Sequence, residues 1–428
     1  MWPRPACVPS FVTDSLSGVN RDGPRRQPFD ESLDFLVSEG ALEPIHWIMH
    51  VSRIATTEEL ERLKPNWNCL AHAMPFRTWQ WLFNWWKHYG QGKTLYTLAV
   101  HDDGGALVGV APWFIERRGN DGRVIQFLGS GDVCTDYLTI LATMEHTRAV
   151  STAIAEWLVR AAGENVESDD RWDLLDFESM SVGDTNIESL LSVLHTSGCA
   201  FNRSPAANCW RLDLPSTWDE FASGLRRTQG KTVRRVSRRL FDNGRGVIRT
   251  CDDSTELEAQ MRVVVDLHQL RWTSLGEPGC FASRNFSRFL HDSAADLFSA
   301  EMLDIRCLEI EGQPVAAEFF LTSATSRYLY QGGVDPKSLK ESPGHAIMST
   351  IIRDAIEAGC QYLDFLRGDE AYKVAWGARP LKTERIRVAP DRLGPQLRNH
   401  AWFAGQAIKG WLKQGISLTA VNLAGQST

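Results

Sequence analysis

The stretch that decides the fold runs from Arg327 to Trp376 and reads RYLYQGGVDPKSLKESPGHAIMSTIIRDAIEAGCQYLDFLRGDEAYKVAW. Ser326–Gly332 has the composition of a strand, and Tyr362–Leu366 is a second, short apolar strand. Between them, a turn-rich loop leads into Ala346–Ala358, where apolar residues recur at helical spacing. A strand, a helix and a second strand in this order predict a right-handed crossover between parallel strands. We therefore expect an α/β fold with mixed sheets.

The start of this helix is predicted to bind an anion. Pro343 suits the first helical position because its missing N–H is not needed there. Gly344 has no Cβ that would keep a ligand away from the backbone. The N–H groups of Gly344, His345, Ala346 and Ile347 then have no intrahelical acceptor, and such an end attracts anions. A diphosphate fits this description, and the alternative is an ordinary helix after a Pro-Gly turn.

An earlier part of the chain repeats the same order of elements. The order is a hairpin, a strand, a helix and a strand, and it predicts an internal duplication of one α/β unit. The first copy has Thr143–His146 in place of the Pro-Gly start, so we expect it to be a degenerate, structural lobe. The predicted elements of the first copy are a hairpin of Thr94–His101 and Ala106–Phe114, strands Val124–Leu128, Tyr137–Leu141 and Trp172–Phe177, and helix His146–Ala162.

The chain is predicted to contain two lobes with a leader and a tail. Residues 1–43 are rich in Pro, Ser, Gly and charged residues and are predicted to be mostly disordered. The first lobe is expected over 44–213 and the second over 214–392. The tail over 393–428 has an amphipathic pattern, which fits a helix packed on its own protein or a peripheral membrane contact.

Composition excludes several classes of protein. The net charge of −7 argues against a general nucleic-acid binder. Nine cysteines stand without metal spacing or a disulfide framework, which predicts reduced thiols and no metal site. No apolar run approaches the ~20 residues that span a bilayer. These observations predict a cytoplasmic protein.

Two further segments allow more than one interpretation. Leu225–Gly246 predicts an amphipathic basic helix with Val233, Val236 and Leu240 on its apolar side. Its basic side fits a solvated face, a site for phosphates of substrate or cofactor, or an arm that binds tRNA. Pro75–Tyr89 is a tryptophan-rich helix whose indoles are expected in the core, with a carbohydrate-stacking platform as the alternative.

Several motifs together carry a family resemblance. They are Tyr328–Gly333 with Asp335-Pro336, Ser342–Gly344, Tyr362–Glu370 with Tyr372-Lys373 and Trp376, His268–Trp272 with Gly279 and Phe281, and Pro314–Ala317. Together they resemble the CelD-type family of GNAT-fold acyltransferases, which is associated with cellulose and exopolysaccharide biosynthesis. The tandem arrangement is also similar to that of Fem-type aminoacyltransferases. The resemblance implies two GNAT-like lobes, of which the second binds acetyl-CoA or another acyl-CoA without a metal. Glu341 departs from the pattern, since GNAT phosphate loops begin with Gln or Arg at this place.

The resemblance also implies roles for individual residues. An acceptor amine with a pKa of ~10.4 is almost fully protonated at pH 7, so a base must take its proton. The catalytic candidates are Tyr372 as the acid and Asp369, Glu370, Glu318 and His268 as bases. The substrate-binding candidates are Arg271, Trp272, Arg367, Lys373 and Trp376. The cofactor-binding candidates are Tyr330, Gln331, Gly332, Ser342, Pro343, Gly344, His345 and Ala346. The alternatives are a surface salt-bridge set around Arg367–Lys373 and a structural role for His268.

The predicted function is transfer of an acyl group to a sugar amine or hydroxyl, or to a polysaccharide precursor. Expected partners are a small-molecule or saccharide acceptor and proteins of exopolysaccharide biosynthesis. Two alternatives are a Fem-like transferase that uses aminoacyl-tRNA and a scaffold without catalytic activity.

Overall fold

The computed structural model describes residues 47–163 and 169–405. The predicted leader over 1–43 and most of the predicted tail lie outside these residues. The described part of the tail is helical over 393–405. None of the helices in the described ranges is long and apolar enough to cross a membrane. The eight cysteines in these ranges are free thiols.

Strands and helices alternate through both lobes. The strands are β1 (His50–Ile54), β2 (Thr94–Leu95), β3 (Thr97–His101), β4 (Leu107–Ala111), β5 (Trp113–Arg118), β6 (Gly122–Phe127), β7 (Leu141–Ala142), β8 (Leu174–Ser181), β9 (Ala200–Pro205), β10 (Cys209–Asp213), β11 (Gly246–Thr250), β12 (Leu303–Ile310), β13 (Gln313–Ser323), β14 (Ser326–Val334), β15 (Tyr362–Arg367), β16 (Arg379–Leu381) and β17 (Thr383–Ala389). The helices are α1 (Thr57–Arg62), α2 (Lys64–Leu70), α3 (Trp79–Tyr89), α4 (Thr147–Ala161), α5 (Thr185–Thr196), α6 (Trp218–Gly224), α7 (Arg227–Val236), α8 (Ser254–Ser274), α9 (Arg284–Ser299), α10 (Pro343–Glu357) and α11 (Ala371–Ala375).

The C-terminal lobe contains the predicted crossover. Its sheet has the order β11-β12-β13-β14-β15-β10-β16, and β14 and β15 are parallel with α10 between them in sequence. The apolar side of α10 packs with Leu329, Phe320 and Phe365 on one face of the sheet. The opposite face carries Tyr328 and Tyr330 and packs against α8 and α9.

The N-terminal lobe repeats the crossover, as the sequence predicts. Strands β6 and β8 are parallel, and α4 lies between them in sequence. The predicted hairpin is more complicated, because its two runs divide into four strands shared between a six-stranded and a four-stranded sheet. The predicted strand Tyr137–Leu141 is wrong except at its last residue. Tyr137 has a φ of 62°, which is outside the strand region, and its side chain bonds to the other lobe.

The two lobes exchange strands, so the predicted boundaries at 213 and 392 do not match the sheets. Strand β10 precedes the second lobe but pairs with β15 and β16 inside its sheet. Strand β17 follows the second lobe but lies between β8 and β9 of the first. The lobes are therefore joined by sheet pairing as well as by side-chain contacts.

The tryptophan-rich segment belongs to the core. Trp81 and Trp85 in α3 are 0% and 2% exposed, which confirms the core prediction and leaves little surface for saccharide stacking. Their indole N–H groups donate to Thr135 Oγ1 and the Ser130 carbonyl, at 3.0 Å in both cases. Burying the aromatic body while satisfying the polar end is the usual arrangement for Trp.

Candidate functional site

A gap opens between the carboxyl ends of β14 and β15. The two strands pair only at their beginnings, where Ser326, Arg327 and Tyr328 face residues 362–364. Beyond these pairs β14 continues to Val334 and β15 to Arg367 without a shared ladder. Leu366, near the end of β15, has a φ of 56°, an uncommon conformation for a branched residue. Ligands of α/β proteins bind at such carboxyl ends of parallel strands.

The N-terminus of α10 lies at the same end of the sheet, because α10 connects the end of β14 to the beginning of β15. No side chain caps this helix end within the described residues. Ser342 precedes the helix with φ 57° and ψ 49°, and its carbonyl accepts from the N–H groups of His345 and Ala346. The prediction that these two N–H groups lack an acceptor is therefore wrong. The helix begins at Pro343, as predicted. An uncapped helix end of this kind attracts anions through its N–H groups and its dipole.

The unusual Glu341 in the loop before α10 is neutralised by the basic segment. Its carboxylate lies 3.0 Å from Arg239 Nε and 3.8 Å from Arg245 Nη1. Arg239 also donates to the carbonyl groups of Lys340 and Glu341, which holds the loop in place. Glu341 therefore repels an anion at the helix end less strongly than the sequence alone suggests.

The basic segment forms α7 and a π-helical turn at Ser237–Phe241. Val233, Val236 and Leu240 are buried, which confirms the predicted apolar side. The choice between a solvated face, a phosphate site and a tRNA arm stays open. The exposed cations of this segment are Arg226, Arg227, Lys231, Arg234, Arg235 and Arg238.

A cavity of about 590 Å³ lies beside the helix end, between α6 and the turn that follows α11. Trp376 lines the cavity, and its ring centroid is 5.9 Å from that of His345 in the first turn of α10. This contact connects the cavity to the anion-attracting helix end. Trp376 and His345 were both predicted as site residues, and the structure brings them together.

Two buried polar side chains lie on opposite faces of the β13–β14 pair near Gly332. Glu318 and Gln331 are both 0% exposed. Neither the Glu318 carboxyl oxygens nor the Gln331 amide atoms have a hydrogen-bond partner in the described part of the chain. Most buried polar groups are paired, so the unpaired Glu318 carboxyl group on the α10 side of the sheet indicates a place where a ligand supplies the partner.

Tyr372 lies on α11 and is 7% exposed. Burial raises the pKa of its hydroxyl well above the ordinary value, with additional contributions from Glu370 and Glu318. The phenol therefore keeps its proton at neutral pH, as a general acid requires. Asp369 is exposed and accepts from Trp210 Nε1 at 3.0 Å.

Lys373 is fully buried and acts on the protein's own backbone. Its Nζ donates to the carbonyl groups of residues 366, 367 and 368 at 3.2, 2.9 and 3.0 Å, and it lies 2.9 Å from Glu370. Burial lowers the pKa of this amine. These four oxygen atoms share the three donors of the ammonium group. Lys373 therefore has no free donor for the predicted contact with substrate in this conformation.

Arg367 joins the two lobes. Its guanidinium lies 2.7 Å from Asp136 and donates to the Thr135 carbonyl at 3.0 Å. Asp136 is 1% exposed, so this ion pair is shielded from solvent. The structure thus gives Arg367 an inter-lobe contact, and its predicted role in substrate binding stays a prediction.

His268 lies on the other face of the sheet, where its backbone packs on Gly333. Its Nδ1 is 3.1 Å from Gln269 Oε1, and its Nε2 is 3.4 Å from Cys280 Sγ. Burial lowers the pKa of the imidazole to about 4, so it is neutral at pH 7. These contacts favour the structural alternative for His268. Its predicted neighbours Arg271 and Trp272 are partly exposed near the end of α8.

Asp364 lies in the quoted strand but is not among the residues predicted for the site. Its carboxyl group accepts from the Tyr137 hydroxyl of the first lobe at 2.5 Å and from the Leu366 N–H at 2.8 Å. Arg211 Nε lies 3.7 Å away. Burial raises the pKa of Asp364 to about 6 in spite of these contacts. The signal in the sequence that could have marked Asp364 was its position as an acidic residue inside the otherwise apolar run YLDFL.

Asp364 should make the stability of the protein depend on pH. Its pKa is about 6 in the folded protein and ~3.9 in an unfolded chain. The folded state therefore binds the proton more tightly, so this stabilising contribution is complete below about pH 4 and is lost as pH rises through 6. We expect Asp364→Asn to gain about 3 kcal/mol relative to the wild type between pH 4 and pH 8. Denaturant unfolding at several pH values measures this difference, and parallel curves for the two proteins would contradict it.

Part of the second lobe matches a known protein family. Residues 227–374, which include α7, the gap and α11, match the family model described as an acetyltransferase (GNAT) domain. The chain carries a GNAT acetyltransferase domain. None of the curated proteins compared with the sequence matches it.

Several solved structures are similar to this chain over most of its length. FemX is similar with a TM-score of 0.55 and 12% identity, covering 82% of this chain and 99% of FemX. A protein of unknown function from Bacteroides thetaiotaomicron has a TM-score of 0.48 and 11% identity, covering 80% of this chain and all of that one. A tandem GNAT protein from the clavulanic acid biosynthesis pathway has a TM-score of 0.40 and 13% identity, covering 81% and 99%. The likeness to FemX supports the fold, and the GNAT domain makes the chain an N-acyltransferase. The CelD-type resemblance stays a prediction.

Proposed function

We propose that the protein transfers an acyl group from acyl-CoA, with acetyl-CoA as the first donor to test, to an amine or hydroxyl of a sugar or polysaccharide precursor. The observation that carries this proposal is the uncapped N-terminus of α10 at the open gap between β14 and β15. The diphosphate of CoA lies at the first turn of α10 in this proposal, because the N–H groups and the helix dipole favour a negative charge there. The pantetheine arm lies in the gap.

The side chains around the gap support a direct transfer. The acceptor attacks the thioester carbonyl carbon, its proton passes to a base, and the bond between carbon and sulfur breaks. Asp369 is the more suitable base, because it is exposed while the Glu370 carboxylate is paired with Lys373. Tyr372 donates its proton to the departing thiolate. The products are the acylated acceptor and free CoA, and no metal is required.

A second candidate is a Fem-like transferase that uses aminoacyl-tRNA. The observation that favours it is the cationic face of α7, where exposed arginine side chains are available for phosphates. A tRNA substrate would bind with a strong dependence on salt, whereas CoA would bind chiefly through the helix end. The sugar acceptor and a partnership with exopolysaccharide proteins rest on the resemblance of motifs alone.

Heat denaturation in the presence of each donor separates these candidates. We expect acetyl-CoA at 100 times its dissociation constant to stabilise the protein by ~2.7 kcal/mol. Charged tRNA should give no comparable shift at 150 mM salt. Stabilisation by charged tRNA without any by acetyl-CoA would overturn the acyl-CoA proposal, and no response to either would favour a scaffold.

A further inference from the structure

The Glu318 carboxyl group is buried without a partner at the centre of the candidate site. The residue is 0% exposed, and both of its oxygens lack a hydrogen bond within the described ranges 47–163 and 169–405. A buried carboxylate with no cation or donor beside it is very unfavourable, so the group is neutral and protonated. Burial accordingly raises the pKa of Glu318 well above the ordinary value. The residue was predicted as a base, and its neutral state corrects that prediction.

The carboxyl group lies over the part of β14 that does not pair with β15. Glu318 lies opposite Gly332 in the pairing of β13 with β14. A Cβ built on Gly332 would lie 2.3 Å from Glu318 Oε2, so the carboxyl group occupies the space above this glycine. Tyr372 lies near enough for Glu318 to contribute to the raised pKa of the phenol. The acid therefore lies between the unpaired end of β14 and the helix that carries Tyr372.

The unpaired oxygen atoms of the Glu318 carboxyl group suit an uncharged ligand. A protonated carboxyl group has one donor and further acceptor capacity. An arm that contains amide groups would satisfy these donors and acceptors, whereas an anion would not.

We propose that Glu318 is a specificity-determining residue whose neutral carboxyl group donates a hydrogen bond to a carbonyl oxygen of the pantetheine arm. This inference rests on the proposed use of acyl-CoA and adds a role for Glu318. It assigns the diphosphate to the N-terminus of α10 and the arm to the buried acid. The proposal also predicts that the protein binds CoA more tightly than it binds the isolated head group of CoA, 3′-phosphoadenosine 5′-diphosphate.

Calorimetric titration of three proteins with these two ligands tests the proposal. Wild type and Glu318→Gln, which keeps a neutral donor, should bind CoA more tightly than the head group. Glu318→Met has a side chain of similar length without a hydrogen-bond donor. Its preference for CoA should fall by about tenfold or more, because the buried carbonyl oxygen of the pantetheine arm is left unpaired. The head group should bind all three proteins equally. Both variants should fold, because neither introduces a charge and Met removes an unpaired buried group.

A pH series adds a readout that a purely structural role would not move. The preference of the wild type for CoA should fall at alkaline pH as Glu318 ionises, while that of Glu318→Gln should stay constant. A comparison of acetyl-CoA with CoA shows whether the thioester or an amide carbonyl is the acceptor, since a thioester contact strengthens the binding of acetyl-CoA alone.

The outcomes distinguish this inference from the proposed function. Equal preference for CoA in all three proteins would overturn the role of Glu318 and leave the proposed function in place. A loss in Glu318→Gln as large as that in Glu318→Met would also overturn the role of a neutral donor. Failure of the wild type to bind either ligand would overturn the proposed function, and the inference with it.

Discussion

Replacing Lys373 by Met should destabilise the C-terminal lobe by about 3–5 kcal/mol, because three hydrogen bonds from a charged donor are lost at about 1.5–3 kcal/mol each, partly offset by the desolvation cost of the amine that Met removes. The three carbonyl groups at the end of β15 would lose the donors they now share at 2.9–3.2 Å. Because this turn leads directly into α11, the position of Tyr372 should be lost as well. Denaturant unfolding measures the first effect, and the rate of acyl transfer measures the second.

Glu370→Gln is the matched control for this variant. It removes the negative partner at 2.9 Å but leaves Lys373 bonded to the backbone. Since the three backbone carbonyl groups still accept from the buried amine, the loss of Glu370 should cost less than the loss of Lys373. A Lys373→Met protein as stable as this control would show that the backbone contacts of the amine contribute little.

Replacing Gly344 by Asp should abolish the binding of CoA while the fold is retained. Gly344 is the second residue of α10 and lies in its uncapped first turn. An acidic residue in the first turn of a helix is favourable in itself, so the variant should be as stable as the wild type. A like charge about 5 Å from a phosphate costs roughly 3 kcal/mol at an effective dielectric constant of about 20. This corresponds to a loss of about two orders of magnitude in affinity.

Gly344→Asn has nearly the same size and shape without the charge, so it controls for steric exclusion. It should bind CoA much more tightly than the Asp variant. Unchanged affinity in Gly344→Asp would place the diphosphate elsewhere on the molecule.

Local patterns in the sequence predicted the crossover and the start of α10. The periodic isoleucines and the Pro343-Gly344 pair act within a few residues of one another, and their effect does not depend on distant contacts. The apolar side of the basic segment was predicted for the same reason. Val233, Val236 and Leu240 are three and four residues apart and lie on one side of a helix.

Long-range pairing could not be predicted in this way. The exchange of β10 and β17 between lobes depends on hydrogen bonds between segments that are far apart in sequence. The strand predicted from Tyr137 failed because the hydroxyl of this residue bonds to Asp364, 227 positions later. A tertiary contact of this kind overrides local strand preference.

The chemistry of the site was predicted in part. Glu318 and Lys373 were selected by residue type, but their charge and availability depend on burial. Glu318 has no hydrogen-bond partner among residues 47–163 and 169–405, and Lys373 is held by three carbonyl groups. A sequence shows neither condition, because both arise from the packing of α8, α10 and α11 around the sheet.

Hydrogen–deuterium exchange with and without CoA tests the central claim most directly. The claim is that CoA binds between the N-terminus of α10 and the unpaired end of β14. CoA should slow exchange of the amides over residues 342–347 and 329–334, because both segments would donate to the ligand or be covered by it. Protection confined to the basic segment over 225–246, or no protection at any concentration of CoA, would contradict the account.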